Sequence, residues 1–216
     1  MTASEVTLKL ATSLDGRIAT ASGESRWITG EAARREVHRM RAEHDAVVVG
    51  IGTALADDPE LTVRLEGYAG LQPARVVLDT RQRLSPGSRL ARTAREIPTF
   101  VVSAGPADPS LSEKGVRILS LDPQGDRPDP ARVVAALRAE GLSRLFLEGG
   151  GKVAAAFLAA GLVDRLVWFR APMVLGAGGR PAVDDLPWDG LAEAPRFRRV
   201  SIAEFGPDLC ETYERA

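Results

Sequence analysis

Strong metal-ligating side chains are scarce in this chain: one cysteine, Cys210, and two histidines, His38 and His44. A single thiol excludes an internal disulfide, and so small a set argues against a structural zinc site. Charge of one sign is lacking too, since 28 basic and 29 acidic residues leave a net charge of −1. No global field therefore draws the chain to nucleic acid or to an anionic membrane. No apolar run approaches the length of a membrane span, and no basic segment followed by an apolar one opens the sequence. A soluble cytoplasmic protein is the expectation. The 216 residues suffice for one domain with a sizeable core, and no repeat or low-complexity stretch divides them, so binding must rest on local sites.

What is present is a run of glycines in an informative setting. Leu145-Phe146-Leu147-Glu148-Gly149-Gly150-Gly151-Lys152 opens with a short apolar stretch, breaks at three glycines and continues with Val153, Ala156, Phe157 and Ala160 at helical spacing. The pattern reads strand, tight loop, helix. Glycines let backbone N–H groups approach a ligand free of Cβ clashes, and the positive end of the following helix favours an anion. Gly149, Gly150, Gly151, Lys152, Val153 and Ala154 thus form a candidate phosphate cradle; a plain strand-to-helix connection with an exposed Glu148 is the alternative. A carboxylate at that strand end suits some part of a ligand other than its phosphate. Neither common nucleotide fingerprint fits, because Val153 stands where a P-loop needs Ser or Thr, and Ala154 where a dinucleotide loop needs its third glycine.

From the N-terminus, Val6, Leu8 and Leu10 alternate with Glu5, Thr7, Lys9 and Ala11, as in a half-buried strand. Lys9 either snorkels to solvent, the reading that spacing alone favours, or points into a cleft where burial lowers its pKa and suits it to proton transfer. Ser13–Gly16 reads as a turn and Ala21–Ser25 as a polar loop. Thr29 is the expected N-cap of a helix with Glu31 in its first turn, running to about His44 with Ala33, Val37 and Met40 toward the core. Arg34, His38 and Arg41 form an adjacent basic stripe; such a stripe is usually a solvated face, but Arg41, near the helix end, is also placed to reach a phosphate. Residues 45–50 are continuously apolar after Asp45, a strand covered on both faces. Gly50–Pro59 reads as a second ligand-binding loop, offering backbone donors and the Thr53 hydroxyl. In an extended chain Asp57 and Asp58 point opposite ways; Asp58, before Pro59, reads as a turn initiator and Asp57 as the pocket residue, with Arg64 following.

Further strands are expected at Arg75–Asp79, Thr99–Ser103, Gly115–Leu119, Arg165–Ala171, Phe197–Ile202 and Leu209–Tyr213, a helix at Asp129–Glu140, and another glycine loop at Gly176–Gly179. Strands alternating with helices predict one α/β domain over residues 1–216. Its central sheet is expected to be mostly parallel, with helices on both faces and an antiparallel C-terminal edge. Ligands of such sheets sit beyond the carboxyl ends of the strands, so the loops that follow strands are expected to converge on one cleft.

Several segments together resemble a known family. KLATSLDGR from Lys9 to Arg17, ASGESRWIT from Ala21 to Thr29, VGIGT from Val49 to Thr53 with LADDPELTVR from Leu55 to Arg64, RVVLD from Arg75 to Asp79 and LEGG from Leu147 to Gly150 are similar, in order and over nearly the whole chain, to the reductase domain of riboflavin biosynthesis, which has a dihydrofolate-reductase-like fold. The resemblance implies NADPH-dependent reduction of a ribosylamino-pyrimidine 5′-phosphate to its ribitylamino product. The sugar opens to an imine at C1′, the nicotinamide delivers hydride there, and a proton reaches the nitrogen or the ring oxygen. Carried over by motif, Ser25, Arg41, Leu61 and Arg64 are implied as substrate contacts, the two arginines for the 5′-phosphate. Ala11, Trp27, Thr53, Asp57 and Gly150–Ala156 are implied as cofactor contacts, although Trp27 also suits a core staple at the helix start. Lys9, Asp57 and Glu148 are implied as the groups that orient ribose hydroxyls and move the proton, with acid and base unassigned. Thr80 or Arg81, just past a strand, is a candidate for holding the 2′-phosphate that separates NADPH from NADH. A homodimer is implied as well, with Leu162–Phe169 either a contact or, as the better reading, a core strand.

Fused members of the pathway carry a zinc deaminase with the signature H-x-E and P-C-x-x-C, and neither part occurs in this sequence. A free-standing reductase is therefore expected, acting on the uracil substrate or on its undeaminated diamino-pyrimidinone precursor. Dihydrofolate-type reduction of another compound is an alternative. So is a non-catalytic NADP-binding sensor, which need not retain Lys9, Ser25, Arg41, Asp57, Arg64 and Glu148 together.

Overall fold

A computed structural model describes residues 5–26, 28–124 and 127–216. In chain order the elements are β1 (Glu5–Thr12), β2 (Arg17–Ala19), α1 (Glu31–Ala42), β3 (Ala46–Gly50), α2 (Ile51–Asp57), β4 (Ala74–Leu78), α3 (Arg89–Arg92), β5 (Thr99–Ser103), α4 (Pro109–Ser112), β6 (Arg117–Ser120), β7 (Pro123–Gln124), β8 (Arg127–Pro128), α5 (Pro130–Ala139), β9 (Arg144–Leu147), α6 (Gly151–Ala159), β10 (Arg165–Arg170), β11 (Arg180–Pro181), β12 (Phe197–Phe205) and β13 (Asp208–Arg215). Nine of the described strands form one sheet in the order β12-β13-β10-β1-β9-β3-β4-β5-β6. All neighbours from β10 to β6 are parallel, and β13 and β12 extend the sheet as an antiparallel hairpin. No helix among the described residues is long and apolar enough to cross a membrane.

Handedness accounts for the two helix layers. The chain travels outward from β3 to β6, then returns to β9 and on to β10, and right-handed crossovers put connections that run in opposite directions on opposite faces. Accordingly α1 through Ala33 and Val37, α2 through Ile51 and Ala54, α3 through Leu90 and α4 through Leu111 pack with Val47, Val77 and Phe146 on one face. On the other face Val133 and Leu137 of α5 and Ala154 and Phe157 of α6 pack with Val6, Leu8, Val48 and Leu147. A strand between two such layers must be apolar on both sides, as Ala46-Val47-Val48-Val49 is. The reversal of direction opens a crevice beyond the carboxyl ends of β1, β9 and β3.

Several local expectations change. Because β1 lies between β9 and β10, it is a central strand, and it keeps the expected alternation only toward its carboxyl end, where half-buried Lys9 and Ala11 alternate with buried Leu8, Leu10 and Thr12. Helix α1 starts after Gly30, not at a Thr29 cap, and stops at Ala42; the Gly30 N–H donates to Asp208 Oδ2 at 2.6 Å, so the start of β13 fixes the helix entrance. Most of Gly50–Pro59 is helix rather than loop: Gly50 is the N-cap of α2, and Asp58 closes it with a left-handed φ of 39°. Asp57 and Asp58 therefore do not diverge as in an extended chain, and helical spacing aligns Asp57 with Thr53. In α6 the buried side chains include Ala154, Ala155 and Phe157, while Ala160 is the C-cap. Strand β10, flanked by β1 and β13, makes 165–169 a core strand and not a free surface. Helices α3 and α4, four residues each, are too short to leave a period in the sequence. Trp27 lies outside the described residues.

Loops at the crevice are tied across the sheet. Asp15, in the turn after β1, accepts hydrogen bonds from Ser13 Oγ at 2.6 Å and from the backbone N–H groups of Leu175 and Gly176 at 3.1 and 2.7 Å. The Leu14 N–H donates to the Met173 carbonyl at 2.7 Å. The Ser13 hydroxyl and the Leu175 amide lead the contacts that pull the Asp15 carboxyl down to about 2. A carboxylate depressed in the folded state stabilises above its unfolded pKa, and the contribution is lost as pH falls through the folded value. The tie is therefore expected to hold at about pH 4, near the unfolded value, and to loosen as pH approaches about 2, read as faster hydrogen exchange at the Leu175 and Gly176 amides. Asp15→Asn should bring that faster exchange to neutral pH, and unchanged exchange would contradict the assignment.

Candidate active site

Alternation along β1 turns Thr7, Lys9 and Ala11 toward the α1 layer. The Lys9 ammonium does not snorkel to solvent. It lies 5.8 Å from the Phe169 ring centroid and makes no hydrogen bond or ion pair with the described residues. Burial lowers its pKa; Arg41 adds to the lowering, while Glu148 and Cys210 oppose it. This is the environment of a lysine held in a cleft rather than of one in free solution.

Glu148 follows β9, the parallel neighbour of β1, and meets Arg41 from the last turn of α1. Arg41 Nε donates to Glu148 Oε1 at 2.5 Å and Nη2 to Oε2 at 2.8 Å, a two-pronged contact between side chains only 10% and 9% exposed. Arg41 Nη1 donates to the Thr62 carbonyl at 2.8 Å. Burial alone would raise the Glu148 carboxyl, but the charge and hydrogen bonds of Arg41, with Lys9 behind them, outweigh it and hold Glu148 below the usual range. Arg41 is therefore committed to Glu148, and neither the solvated face nor the phosphate reach read from its helix position describes where it points.

Beside this cluster stand the starts of α2 and α6. Their N-caps, Gly50 and Gly150, make no side-chain cap bond, so the first N–H groups of each helix keep their capacity for a ligand. The helices approach closely: a Cβ on Gly50 would lie 2.9 Å from Val153 Cγ2, and one on Gly149 would lie 2.9 Å from Thr53 Oγ1. Gly150 takes a φ of 81°, which favours glycine. The segment after β10 returns to the same place, the Asp184 N–H donating to the Gly151 carbonyl at 3.1 Å. The segments that follow β3 and β9 thus meet as expected, whereas the Gly176–Gly179 loop packs on the turn after β1, where the Gly176 N–H donates to Asp15.

Other candidates fall at varying distances from this centre. Thr53 borders the glycines, and Asp57, exposed, sits one turn beyond it at the end of α2. Ala11 packs partly buried on β1 above Lys9. Lys152 is exposed in the first turn of α6. Thr80 and Arg81 follow β4, one strand beyond the cradle. Ser25 is exposed, as is Arg64, which pairs with Glu60 at 3.1 Å. Leu61 is 3% exposed with its side chain in the core, so only its backbone is available to a ligand. The Thr62 carbonyl and Phe169 escaped sequence reasoning: a backbone acceptor has no residue signature, and an aromatic in a core strand reads as core.

The RibD C-terminal domain family matches residues 4–211. The riboflavin biosynthesis protein RibD of Bacillus amyloliquefaciens is 35% identical over 209 residues, covering 94% of this chain and 55% of that protein. The chain spans about half the length of the RibD relatives it matches. A 2,5-diamino-6-ribosylamino-4(3H)-pyrimidinone 5′-phosphate reductase of Methanothermobacter thermautotrophicus is 38% identical over 211 residues, 96% of each chain. In three dimensions RibD of Acinetobacter baumannii, 32% identical, matches with a TM-score of 0.86 over 99% of this chain and 58% of its own. Dihydrofolate reductase from Enterococcus faecalis, 14% identical, shares the fold at a TM-score of 0.52 over 98% and 96% of the two chains.

Removing one partner of a buried ion pair strands the other. Arg41→Met is expected to cost about 3 kcal/mol in urea unfolding, whereas Arg41→Met with Glu148→Leu should recover most of it. The loss should shrink as pH falls below about 4, because the depressed Glu148 contributes stability above its unfolded pKa and loses it on protonation. Equal stability of the single and double variants would refute this coupling.

Proposed function

The chain belongs to the RibD C-terminal domain family, and from that premise we propose that it reduces the ribosyl group of a 5-phosphoribosylamino-pyrimidine to the ribitylamino product, with NADPH as hydride donor. The observation that carries the reading is a half-buried Lys9, without a hydrogen-bond or ionic partner among the described residues, beside an Arg41-held Glu148 carboxylate at the edge of a glycine cradle free of side-chain caps. The cradle fits a phosphorylated dinucleotide: Thr53 and Gly149 to Ala154 surround the two helix starts, where added Cβ atoms would clash. Ala11 and Asp57 border the same space, and Thr80 with Arg81 is assigned to the 2′-phosphate.

When bound, the cofactor supplies the hydride that C1′ receives. The remaining chemistry needs one proton. As the C1′–O4′ bond breaks, the amine lone pair closes a C1′=N bond and O4′ takes up the proton; reduction at C1′ then leaves a neutral secondary amine. Lys9 is assigned as that donor, since burial eases release of its proton. Glu148, kept ionised by Arg41, accepts from a ribose hydroxyl and fixes the sugar beside Lys9. Ser25 and Arg64, exposed on the rim, take the 5′-phosphate. Asp57, aligned with Thr53, is assigned to the cofactor rather than to proton transfer.

The relative from Methanothermobacter thermautotrophicus, covered over 96% of its length, favours the undeaminated diamino-pyrimidinone as substrate over the aminouracil. A cytoplasmic location belongs to the same proposal. A homodimer is supported by β12, a nine-residue edge strand with Val200 36% and Ile202 51% exposed, since an unpaired edge is a template for another strand.

The direct test follows nicotinamide absorbance with both pyrimidine phosphates, each with NADPH and NADH in parallel. Turnover with NADPH and one pyrimidine is expected; turnover of neither, with NADPH bound, would leave a sensor or a reductase of another compound. Lys9→Met should lower kcat by about 10²- to 10⁴-fold while leaving the melting temperature equal or higher, because a desolvated amine is removed. A variant as active as the parent would remove Lys9 from the mechanism. Sedimentation should give a dimer that Ile202→Lys dissociates, and a monomeric parent protein would refute the dimer.

A further inference from the structure

His38 lies one helical turn before Arg41 on α1, and both residues act on one short segment. Residues 61–64 belong to no helix or strand, so side chains satisfy their backbone. The Thr62 carbonyl accepts from Arg41 Nη1 at 2.8 Å; the Val63 N–H donates to Gln72 Oε1 at 2.7 Å, and its carbonyl accepts from Gln72 Nε2 at 3.1 Å. The Arg64 N–H donates to His38 Nδ1 at 3.2 Å. Nδ1 also lies 3.1 Å from the Thr62 carbonyl. It serves only one of them, because a ring nitrogen either carries a hydrogen or accepts one. Thr62 already has Arg41, so the arrangement that satisfies every group has the His38 hydrogen on Nε2 and Nδ1 accepting from Arg64. The segment is strained as well: buried Leu61 has a φ of 55°, a conformation that persists only where surroundings enforce it.

We propose that His38 is a positioning residue that fixes the Arg64 backbone, and through it the guanidinium, for the 5′-phosphate of the substrate. The inference rests on the reading above that Arg64 meets that phosphate. Protonation puts a hydrogen on Nδ1, turns the ring into a second donor toward Thr62 and releases the Arg64 N–H. The charged groups facing the ring are Arg41 on its own helix, with Arg34 one turn earlier, Arg64 on the segment, and Glu148 beyond β9. Burial, then Arg41 and Arg64, hold the His38 pKa below its ordinary value against the Thr62 carbonyl and Glu148. The accepting form is thus the neutral-pH form, and acidification removes it.

The test compares the parent with His38→Leu and with His38→Asn, whose Oδ1 restores an acceptor, across pH and on phosphorylated and dephosphorylated pyrimidine substrates. His38→Leu is expected to raise KM for the phosphorylated substrate about tenfold, one hydrogen bond's worth, with kcat near the parent value and the dephosphorylated substrate little affected. His38→Asn should recover most of the loss, and the acid-side rise in KM should be smaller in both variants than in the parent, leaving only that from protonation of the substrate phosphate near pH ~6. An unchanged KM, or an equal rise on both substrates, overturns the proposal. Should the parent reduce neither pyrimidine, titration with ribose 5-phosphate decides separately: binding about tenfold weaker in His38→Leu supports the role, while equal binding, or none to the parent, overturns it.

Discussion

Two charges buried against each other, Arg41 and Glu148, set the terms for the rest of the cleft. Desolvating both is expensive, and a pair of this kind adds little net stability compared with an apolar substitute, yet losing one member is costly. Its value lies in what it holds. The fork of Arg41 keeps a carboxylate ionised in a nearly dry place, links the end of α1 to the turn after β9, and spends its third donor on the Thr62 carbonyl. Lys9 is then left with an attractive carboxylate nearby and no direct partner of its own. Without the pair, Glu148 would drift toward neutrality and Lys9 would lose the negative charge that supports its proton.

The two halves of the crevice want different things from a ligand. On the cradle side the positive ends of α2 and α6 stand together, kept close by Gly50 against Val153 and Gly149 against Thr53, and they suit phosphate. On the α1 side the Glu148 carboxylate and the Lys9 ammonium suit hydroxyls and a proton. A ligand set that brings both phosphate and hydroxyl groups meets both demands, and the parallel sheet presents them at one edge because β3 and β9 end there.

The sequence made the scaffold readable where periodicity was strong. The continuous apolar strand at Ala46–Gly50, the helix that follows Asp129 and the antiparallel C-terminal strands follow from residue pattern. Glu148 and the glycines also announced themselves, as polar or permissive residues at a strand end. Lys9 was misjudged from spacing because alternation does not say what stands opposite a side chain; Arg41, Glu148 and Phe169, all distant in sequence, form its surroundings. The partnership of Arg41 with Glu148 was invisible for a related reason. It joins residues 107 apart in sequence, and no local pattern encodes which opposite charges meet. Gly50–Pro59 failed differently: its glycines signalled a loop, whereas the helix they open is stabilised by packing of Ile51 and Ala54.

The order of strands also bears on how the protein is made. β1 is the first of the described strands, but its neighbours come from residues 144–147 and 165–170. During synthesis it must wait, unpaired, while β3 to β6 assemble beside one another, and it enters the sheet only when β9 and β10 have emerged. Such late, long-range pairing is slow and leaves an apolar strand exposed in the meantime. The strand that waits is the one carrying Lys9, so the cleft cannot exist before β9 and β10 have been made, and what emerges earlier from the chain is scaffold without a site.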